Sequence, residues 1–142
     1  MRALARFQAV DQKDPESYFQ ISGIHGRPYR AFDGVGSDGN FGGYCTHSSV
    51  IFPTWHRPYV ALYEQTLYKH VTAIANEYTD PGLKQRFQTA AAKFRVPYWD
   101  WALDSTLPDI IARQAKVTVL TPQGQNTEIP NPLYSYRCVL GS

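Results

Sequence analysis

The strongest structural signal in this sequence is a stripe of apolar side chains with a helical period. The apolar positions recur every three or four residues: Tyr59, Leu62, Tyr63, Leu67, Val71, Ile74 and Tyr78. This spacing predicts one long helix that begins near Thr54 and carries all of them on one face. Pro58 falls in its first turns, where a missing N–H group costs least. The stripe therefore favours a mainly helical fold.

Two shorter helices are predicted before this stripe. The first of these helices is predicted over residues 4–10. Asp14 can cap the second, because its carboxylate accepts backbone N–H groups, and Pro15 suits the first helical position. Gly26 ends the second helix, which places His25 at its C-terminus.

The C-terminal half predicts one more helix and a small hairpin. Asp80 and Pro81 begin the helix. Its predicted buried face consists of Leu83, Phe87, Ala90, Ala91 and Phe94. Residues 116–121 alternate β-branched side chains, turn at 122–124 and return through 127–129, a pattern typical of a β-hairpin. The expected fold is mainly α, with a small β-hairpin near the C-terminus.

Two segments are predicted to be irregular. Glycines and aspartates crowd residues 33–43, which indicates a loop. Residues 96–101 (Val-Pro-Tyr-Trp-Asp-Trp) are rich in aromatic side chains and contain a proline, so we do not expect them to extend a helix. We expect Trp99 and Trp101 to belong to the core.

Composition indicates one globular domain over residues 1–142. The sequence is 43% hydrophobic and 18% charged, as in ordinary globular proteins. Its formal net charge of +2, with acids and bases interspersed, gives no sign of a nucleic-acid partner. No apolar run reaches the ~18 residues of a membrane span, and no signal peptide is recognisable, so we expect a cytoplasmic protein without a membrane partner. The two cysteines make no disulfide framework.

Three of the four histidines, His25, His47 and His56, are candidates for a metal site. Imidazole nitrogens are the commonest protein ligands for copper and zinc, and a set without carboxylates disfavours magnesium and calcium. His25 ends one predicted helix and His56 lies near the start of another, and helical bundles hold metals where facing helices converge. The alternative for each histidine is an ordinary hydrogen-bonded core or surface residue.

The fourth histidine, His70, is too far along the predicted helix to share that site. On a continuous helix His70 would lie about 21 Å from His56, at roughly 1.5 Å per residue.

Cys45 could be a small buried apolar residue, a thiolate ligand, or a covalent partner of a neighbouring side chain. Cys45 and His47 are two residues apart, so in an extended segment they point to the same side, where sulfur and imidazole can touch.

Several runs of residues carry a family resemblance. Residues 41–49 (Phe-Gly-Gly-Tyr-Cys-Thr-His-Ser-Ser) and 52–59 (Phe-Pro-Thr-Trp-His-Arg-Pro-Tyr) resemble the first copper-binding motif of fungal tyrosinases. Residues 24–29 resemble the segment that supplies the first histidine of that family. Residues 96–101 and 131–133 resemble stretches that follow the first copper. The resemblance covers about residues 17–136, which is most of the chain.

The resemblance implies a copper site and assigns its residues. His25, His47 and His56 match the three ligands of the first copper of that family, so one copper ion is expected in this chain. Cys45 matches a cysteine that forms a thioether to the ring of the neighbouring histidine, here His47, which would fix the orientation of the imidazole. Phe52 matches an aromatic residue that packs against the ligands; the alternative is a plain core residue. The implied fold is part of a four-helix copper bundle.

The activity implied by the resemblance is the oxidation of phenols by dioxygen. Complete family members hydroxylate monophenols and oxidise ortho-diphenols to quinones, chemistry associated with melanin biosynthesis, and they use two coppers held by six histidines. After His56 only His70 remains. We therefore expect these 142 residues to lack the second copper half, to contain no assigned catalytic residue, and to show little or no activity alone.

A second interpretation is a non-catalytic protein that binds one copper, or a half-domain that depends on a partner. In either case part of the helical stripe would lie open where the second half is missing: Leu62, Leu67, Val71 and Ile74. An exposed apolar face predicts self-association. A phenol and dioxygen are the small-molecule partners expected for the complete enzyme.

Overall fold

The computed structural model describes residues 1–31 and 44–138, and this part of the chain is mainly helical. Its elements are α1 Arg2–Gln8, α2 Tyr18–His25, α3 Phe52–Asn76, α4 Pro81–Ala92, α5 Asp109–Ala112, β1 Lys116–Leu120 and β2 Asn126–Pro130. The predicted fold class is confirmed, although α1 and α3 each begin two residues earlier than expected. The loop predicted at residues 33–43 lies outside the described residues. Within the described ranges, no helix has both the length and the apolar character needed to cross a membrane.

The start of α2 differs from the prediction. Ser17 is the N-cap, and its hydroxyl oxygen accepts the N–H of Gln20 at 3.1 Å. Asp14, the predicted cap, instead accepts the N–H of Glu16 at 2.8 Å and closes a turn ahead of the helix. Both side chains are good caps, and the local pattern did not distinguish between them. The helix ends at His25, as predicted.

One compact unit comprises residues 7–66. Phe7 and Ile21 are fully buried in its core. Phe7 lies edge-on to Tyr18 with ring centroids 5.4 Å apart, and its ring lies 5.7 Å from that of Tyr63. These apolar contacts join α2 to the first half of α3 and so fix the distance between the two helices that carry His25 and His56.

Helix α2 has no room for a side chain at Gly23. A Cβ atom there would lie 2.6 Å from Cγ and 3.3 Å from Cβ of Arg30. The backbone N–H of Arg30 donates to the carbonyl oxygen of Gly23 at 2.7 Å, and its Nε donates to Gln20 at 2.9 Å. Arg30 is thus held against the helix, and this close approach requires glycine.

The other compact unit comprises residues 1–6 and the chain from Leu67 onward. Four buried residues of α3, α4 and the turn between them contribute to its core: Ile74, Ala75, Tyr78 and Ala91. Tyr78 stacks on Phe87 with ring centroids 4.0 Å apart. Its hydroxyl donates to the carbonyl oxygen of Leu120 at 2.8 Å, which ties the hairpin to the end of α3.

Helix α4 begins as predicted. Asp80 accepts the N–H of Leu83 at 2.7 Å, and Pro81 is the first helical residue. The predicted buried face is only partly correct, because Ala91 is buried but Ala90 is exposed. The remaining three residues of that face are half-buried.

The predicted hairpin is present. Strands β1 and β2 pair antiparallel, with Val117 opposite Ile129. Gly124, with φ of 77°, makes the turn between them in a backbone conformation that favours glycine. Lys116 and Glu128 form an exposed ion pair at 2.8 Å across the strands.

Two expectations about apolar burial were wrong. Trp99 and Trp101 are 40% and 76% exposed, so neither is a core residue. Leu67 and Ile74, expected to lie open, are 7% and 8% exposed. The pattern identifies apolar residues, but it does not show which other segment covers them. Other apolar side chains are strongly exposed, and three of them lie in the irregular segment after α4: Tyr98, Trp101 and Leu103.

Candidate metal centre

Three different local structures bring three histidines together. His25 is the last residue of α2, His47 lies in the irregular segment before α3, and His56 is in the first turns of α3. All three belong to the unit of residues 7–66. His70 also lies on α3 but is not part of the cluster.

The ring nitrogens of these histidines are close enough to share one ion. The Nε2 atom of His25 lies 2.9 Å from that of His56 and 3.3 Å from that of His47. One nitrogen of each ring lies within 4.8 Å of the others. An imidazole nitrogen binds a metal at about 2 Å, so two ligands of one ion lie within roughly 4 Å of each other. A small movement of the rings would bring all three nitrogens within this distance of one another. Three neutral imidazoles form a ligand set that suits copper.

The ring of His56 is oriented by the backbone of its own helix. Its Nδ1 atom lies 2.8 Å from the carbonyl oxygen of Phe52. A carbonyl oxygen only accepts hydrogen bonds, so Nδ1 carries the proton and donates it. The lone pair of Nε2 is therefore directed toward the cluster, which is the tautomer that a metal ligand needs.

Cys45 is buried and lies against His47. Its Sγ atom is 3.6 Å from Nδ1 of His47 and 3.7 Å from the carbonyl oxygen of His25, to which the thiol can donate. In the described part of the chain, the cluster of possible ligand atoms consists of the three histidines without Cys45. The geometry therefore does not support the interpretation of Cys45 as a thiolate ligand.

Phe52 and Trp55 of α3 contact the histidine rings directly. The ring centroid of Phe52 lies 3.9 Å from that of His56 and 5.9 Å from that of His47. Phe52 is 43% exposed, so its packing is against the histidine rings and not in the core. Trp55 meets His56 edge-on at 4.8 Å.

Tyr59 is a site residue that the sequence reasoning missed. Its ring stacks on His25, with centroids 5.3 Å apart and ring planes 17° apart. Trp55 in turn stacks on Tyr59 at 5.6 Å. The four-residue spacing of Trp55 and Tyr59 indicates one helix face. Their contact with His25 depends on how α2 packs against α3, which no local pattern encodes.

The surroundings of the cluster favour neutral side chains. Burial, together with the neighbouring His56 and His47, lowers the pKa of His25 below its usual value. Burial also raises the pKa of Tyr59 and, with Tyr18 and Tyr59 nearby, raises the pKa of Tyr63 to about 12. Neutral imidazole is the form that binds a metal.

The family of the chain follows from comparison with known proteins. A sequence model described as the common central domain of tyrosinase matches residues 15–142. The chain belongs to the tyrosinase family. This family uses copper, and the three converging histidines are positioned to bind one metal ion.

Curated tyrosinases align with nearly the whole chain. The tyrosinase of Podospora anserina is 41% identical over 145 residues, which cover 94% of this chain and 25% of that protein. The tyrosinase of Neurospora crassa is 41% identical over 147 residues, covering 94% of this chain and 21% of that protein. The chain thus spans about a quarter of the length of these relatives.

Solved tyrosinase structures share the fold. A structure of latent and active mushroom tyrosinase superposes with a TM-score of 0.83 at 39% identity, covering 95% of this chain and 36% of that chain. A copper-bound mutant of Aspergillus oryzae tyrosinase complexed with L-tyrosine gives a TM-score of 0.82 at 36% identity. It covers 96% of this chain and 34% of that one. The arrangement of helices described above is therefore of the tyrosinase type.

Proposed function

We propose that these residues form the part of a tyrosinase-type oxidase that binds its first copper ion, with His25, His47 and His56 as ligands. The convergence of the three Nε2 atoms, at 2.9 and 3.3 Å from His25, carries this proposal. When all three Nε2 atoms are unprotonated, as metal ligands must be, nitrogens this close repel one another through their lone pairs. A cation between them replaces that repulsion with three metal–nitrogen bonds.

For the complete protein that contains this chain, we propose the oxidation of phenols by dioxygen. Curated relatives are named tyrosinase and polyphenol oxidase, and the Aspergillus oryzae structure contains L-tyrosine. The proposed reactions are hydroxylation of monophenols and oxidation of ortho-diphenols to quinones. Bound copper would supply the redox chemistry, while the three histidines hold and orient the ion.

Cys45 and Phe52 are proposed to fix the orientation of these ligands. A thioether from Sγ of Cys45 to a ring carbon of His47 is supported by their 3.6 Å approach. Forming it breaks the S–H bond and one ring C–H bond, and two electrons and two protons pass to dioxygen. Phe52 limits the rotation of the His56 ring by packing against its face.

Elemental analysis of the copper-loaded chain tests the proposed site. We expect at most one copper per polypeptide, and His56→Ala should abolish tight binding because it removes one of three ligands. His70→Ala is the matched control, since it alters the same helix outside the cluster. Two coppers per polypeptide, or equal effects of the two substitutions, would contradict the proposal.

The second candidate function is copper binding without catalysis. One observation favours it for a polypeptide of these 142 residues: four histidines cannot provide two sets of three ligands. We expect the copper-loaded chain to oxidise an ortho-diphenol no faster than free copper does. Faster quinone formation that is lost in His47→Ala would show instead that the chain is catalytic alone.

A further inference from the structure

We propose that Tyr59 is a positioning residue for His25, and that it sets the plane of this imidazole by stacking on it. The inference rests on the proposed copper site, because it concerns how one of the three ligands is held. Tyr59 contacts the site by stacking on the ring of His25, so it acts through His25.

The other two ligand rings each have an orienting contact through Nδ1. His56 donates from Nδ1 to the carbonyl oxygen of Phe52 at 2.8 Å, and Nδ1 of His47 lies 3.6 Å from Sγ of Cys45. Both close polar contacts of the His25 ring are made by Nε2, toward the other two rings. Among the described residues, no hydrogen bond reaches its Nδ1. Within that part of the chain, His25 therefore has no Nδ1 contact like those that orient the other two ligand rings.

The ring of His25 is constrained by its stack with Tyr59. The centroid separation of 5.3 Å and the angle of 17° correspond to the offset parallel arrangement that aromatic rings prefer. Trp55, one turn earlier on α3, stacks on Tyr59 at 5.6 Å and 23°, and lies 6.3 Å from His25. The helix that carries His56 therefore also fixes the ring plane of His25, which belongs to a different helix.

Stacking also responds to the metal. An imidazole that donates its lone pair to a copper ion becomes electron-poor, and the electron-rich face of a phenol attracts a positive neighbour. The attraction between Tyr59 and His25 is thus stronger in the copper-bound state than in the metal-free one. The stack consequently contributes to copper affinity as well as to the geometry of the site.

A double-mutant cycle on the full chain tests the inference. Tyr59→Leu should weaken copper(II) binding about 10-fold. This is the lower end of the loss in metal affinity expected when a residue that orients a metal ligand is replaced. Tyr59→Phe keeps the ring, so it should bind like the unsubstituted chain. In a His25→Ala background, Tyr59→Leu should have no further effect on the residual affinity, because the residue through which Tyr59 acts is gone.

Two further measurements separate positioning from a general structural role. Tyr63→Leu removes an aromatic ring one turn further on, which contacts Phe7 and Tyr18, and should lower thermal stability without changing the electron paramagnetic resonance spectrum of bound copper(II). Tyr59→Leu should change that spectrum. Equal losses of affinity from Tyr59→Leu in both backgrounds, or the same loss from Tyr63→Leu, would overturn the inference.

A copper-independent readout keeps this test distinct from that of the proposed function. In the metal-free chain, the NMR signals of the His25 ring protons should move when Tyr59→Leu removes the ring current, and stay in place with Tyr59→Phe. Unchanged signals in both variants would refute the stack even if copper binds. Absence of copper binding by the unsubstituted chain would refute the proposed site instead.

Discussion

Sγ of Cys45 lies 3.6 Å from Nδ1 of His47, and the two residues differ sharply in exposure. Cys45 is buried at 8% exposure, whereas His47 is exposed. A covalent or tightly packed contact between them would anchor an imidazole on an irregular, solvent-facing segment to a sulfur atom inside the protein. Such an anchor would limit the number of orientations that the ring samples before it binds a metal.

Cys45→Ser should weaken copper binding by about 10–100-fold, because the ring of His47 loses its anchor. Equilibrium titration with copper(II) measures this, and Cys138→Ser, at an exposed cysteine, is the matched control. Mass spectrometry after exposure to copper and dioxygen should show a loss of two hydrogen atoms in the unsubstituted chain and none in Cys45→Ser. A full complement of two reactive thiols after that treatment would rule out the thioether.

The N-cap of α4 gives a prediction about stability. Asp80→Ala leaves the N–H of Leu83 without its acceptor, which should lower the free energy of unfolding by about 0.5–2 kcal/mol. Asp80→Asn retains an oxygen acceptor, so it should lower the free energy of unfolding much less. Urea denaturation followed by circular dichroism compares the three proteins. An alanine variant as stable as the asparagine variant would show that the cap contributes little.

The ion pair of Glu77 with Arg6 predicts how stability depends on pH. A hydrogen bond from Arg6 is the main cause that holds the pKa of Glu77 below its usual 4.5, with Arg2 contributing. Because the folded-state pKa is the lower one, this contribution is present above the unfolded-state pKa and is lost as the pH falls through the folded-state pKa. The groups are partly exposed, so the effect is small and weakens with salt.

Glu77→Gln tests that dependence. It should be less stable than the unsubstituted chain at neutral pH, and the difference should disappear once Glu77 is protonated. Denaturant unfolding at several pH values measures both. A stability difference that persists unchanged in strong acid would show that the carboxylate charge is not its source.

Exposed apolar side chains after α4 predict self-association of the isolated chain. Trp101 and Leu103 are 76% and 86% exposed, and each large apolar side chain removed from water contributes about 1.5–3 kcal/mol. Replacing both with serine should lower the association seen by light scattering. Val50→Ser is the control, because Val50 is 96% exposed in the other compact unit. A monodisperse monomer before any substitution would disprove the prediction.

Local patterns in the sequence predicted the elements of this fold well. The apolar period of α3 and the Asp80–Pro81 start of α4 are each encoded within a few neighbouring residues, and both elements appear as expected. Helix α5 was missed, because it is four residues long and Pro108 before it makes no side-chain cap. So short an element leaves no periodic signal.

Contacts between distant segments were harder to predict. The resemblance brought His25, His47 and His56 into one site, but the stack of Tyr59 on His25 depends on the packing of α2 against α3. In the same way, the composition of residues 96–101 suggested burial, although Trp101 faces solvent. An apolar side chain favours burial, but whether it is buried depends on which other segment of the molecule packs over it.

Gly23 limits which mutations the metal centre can tolerate. Any other residue there would place a Cβ atom 2.6 Å from Cγ of Arg30, near the stem of a side chain that is tied to the same helix. Either Arg30 or the end of α2 would have to move, and His25 is only two residues further along that helix. A complete substitution scan should therefore show losses of stability or copper binding at residue 23, although glycine has no side chain that could bind a metal.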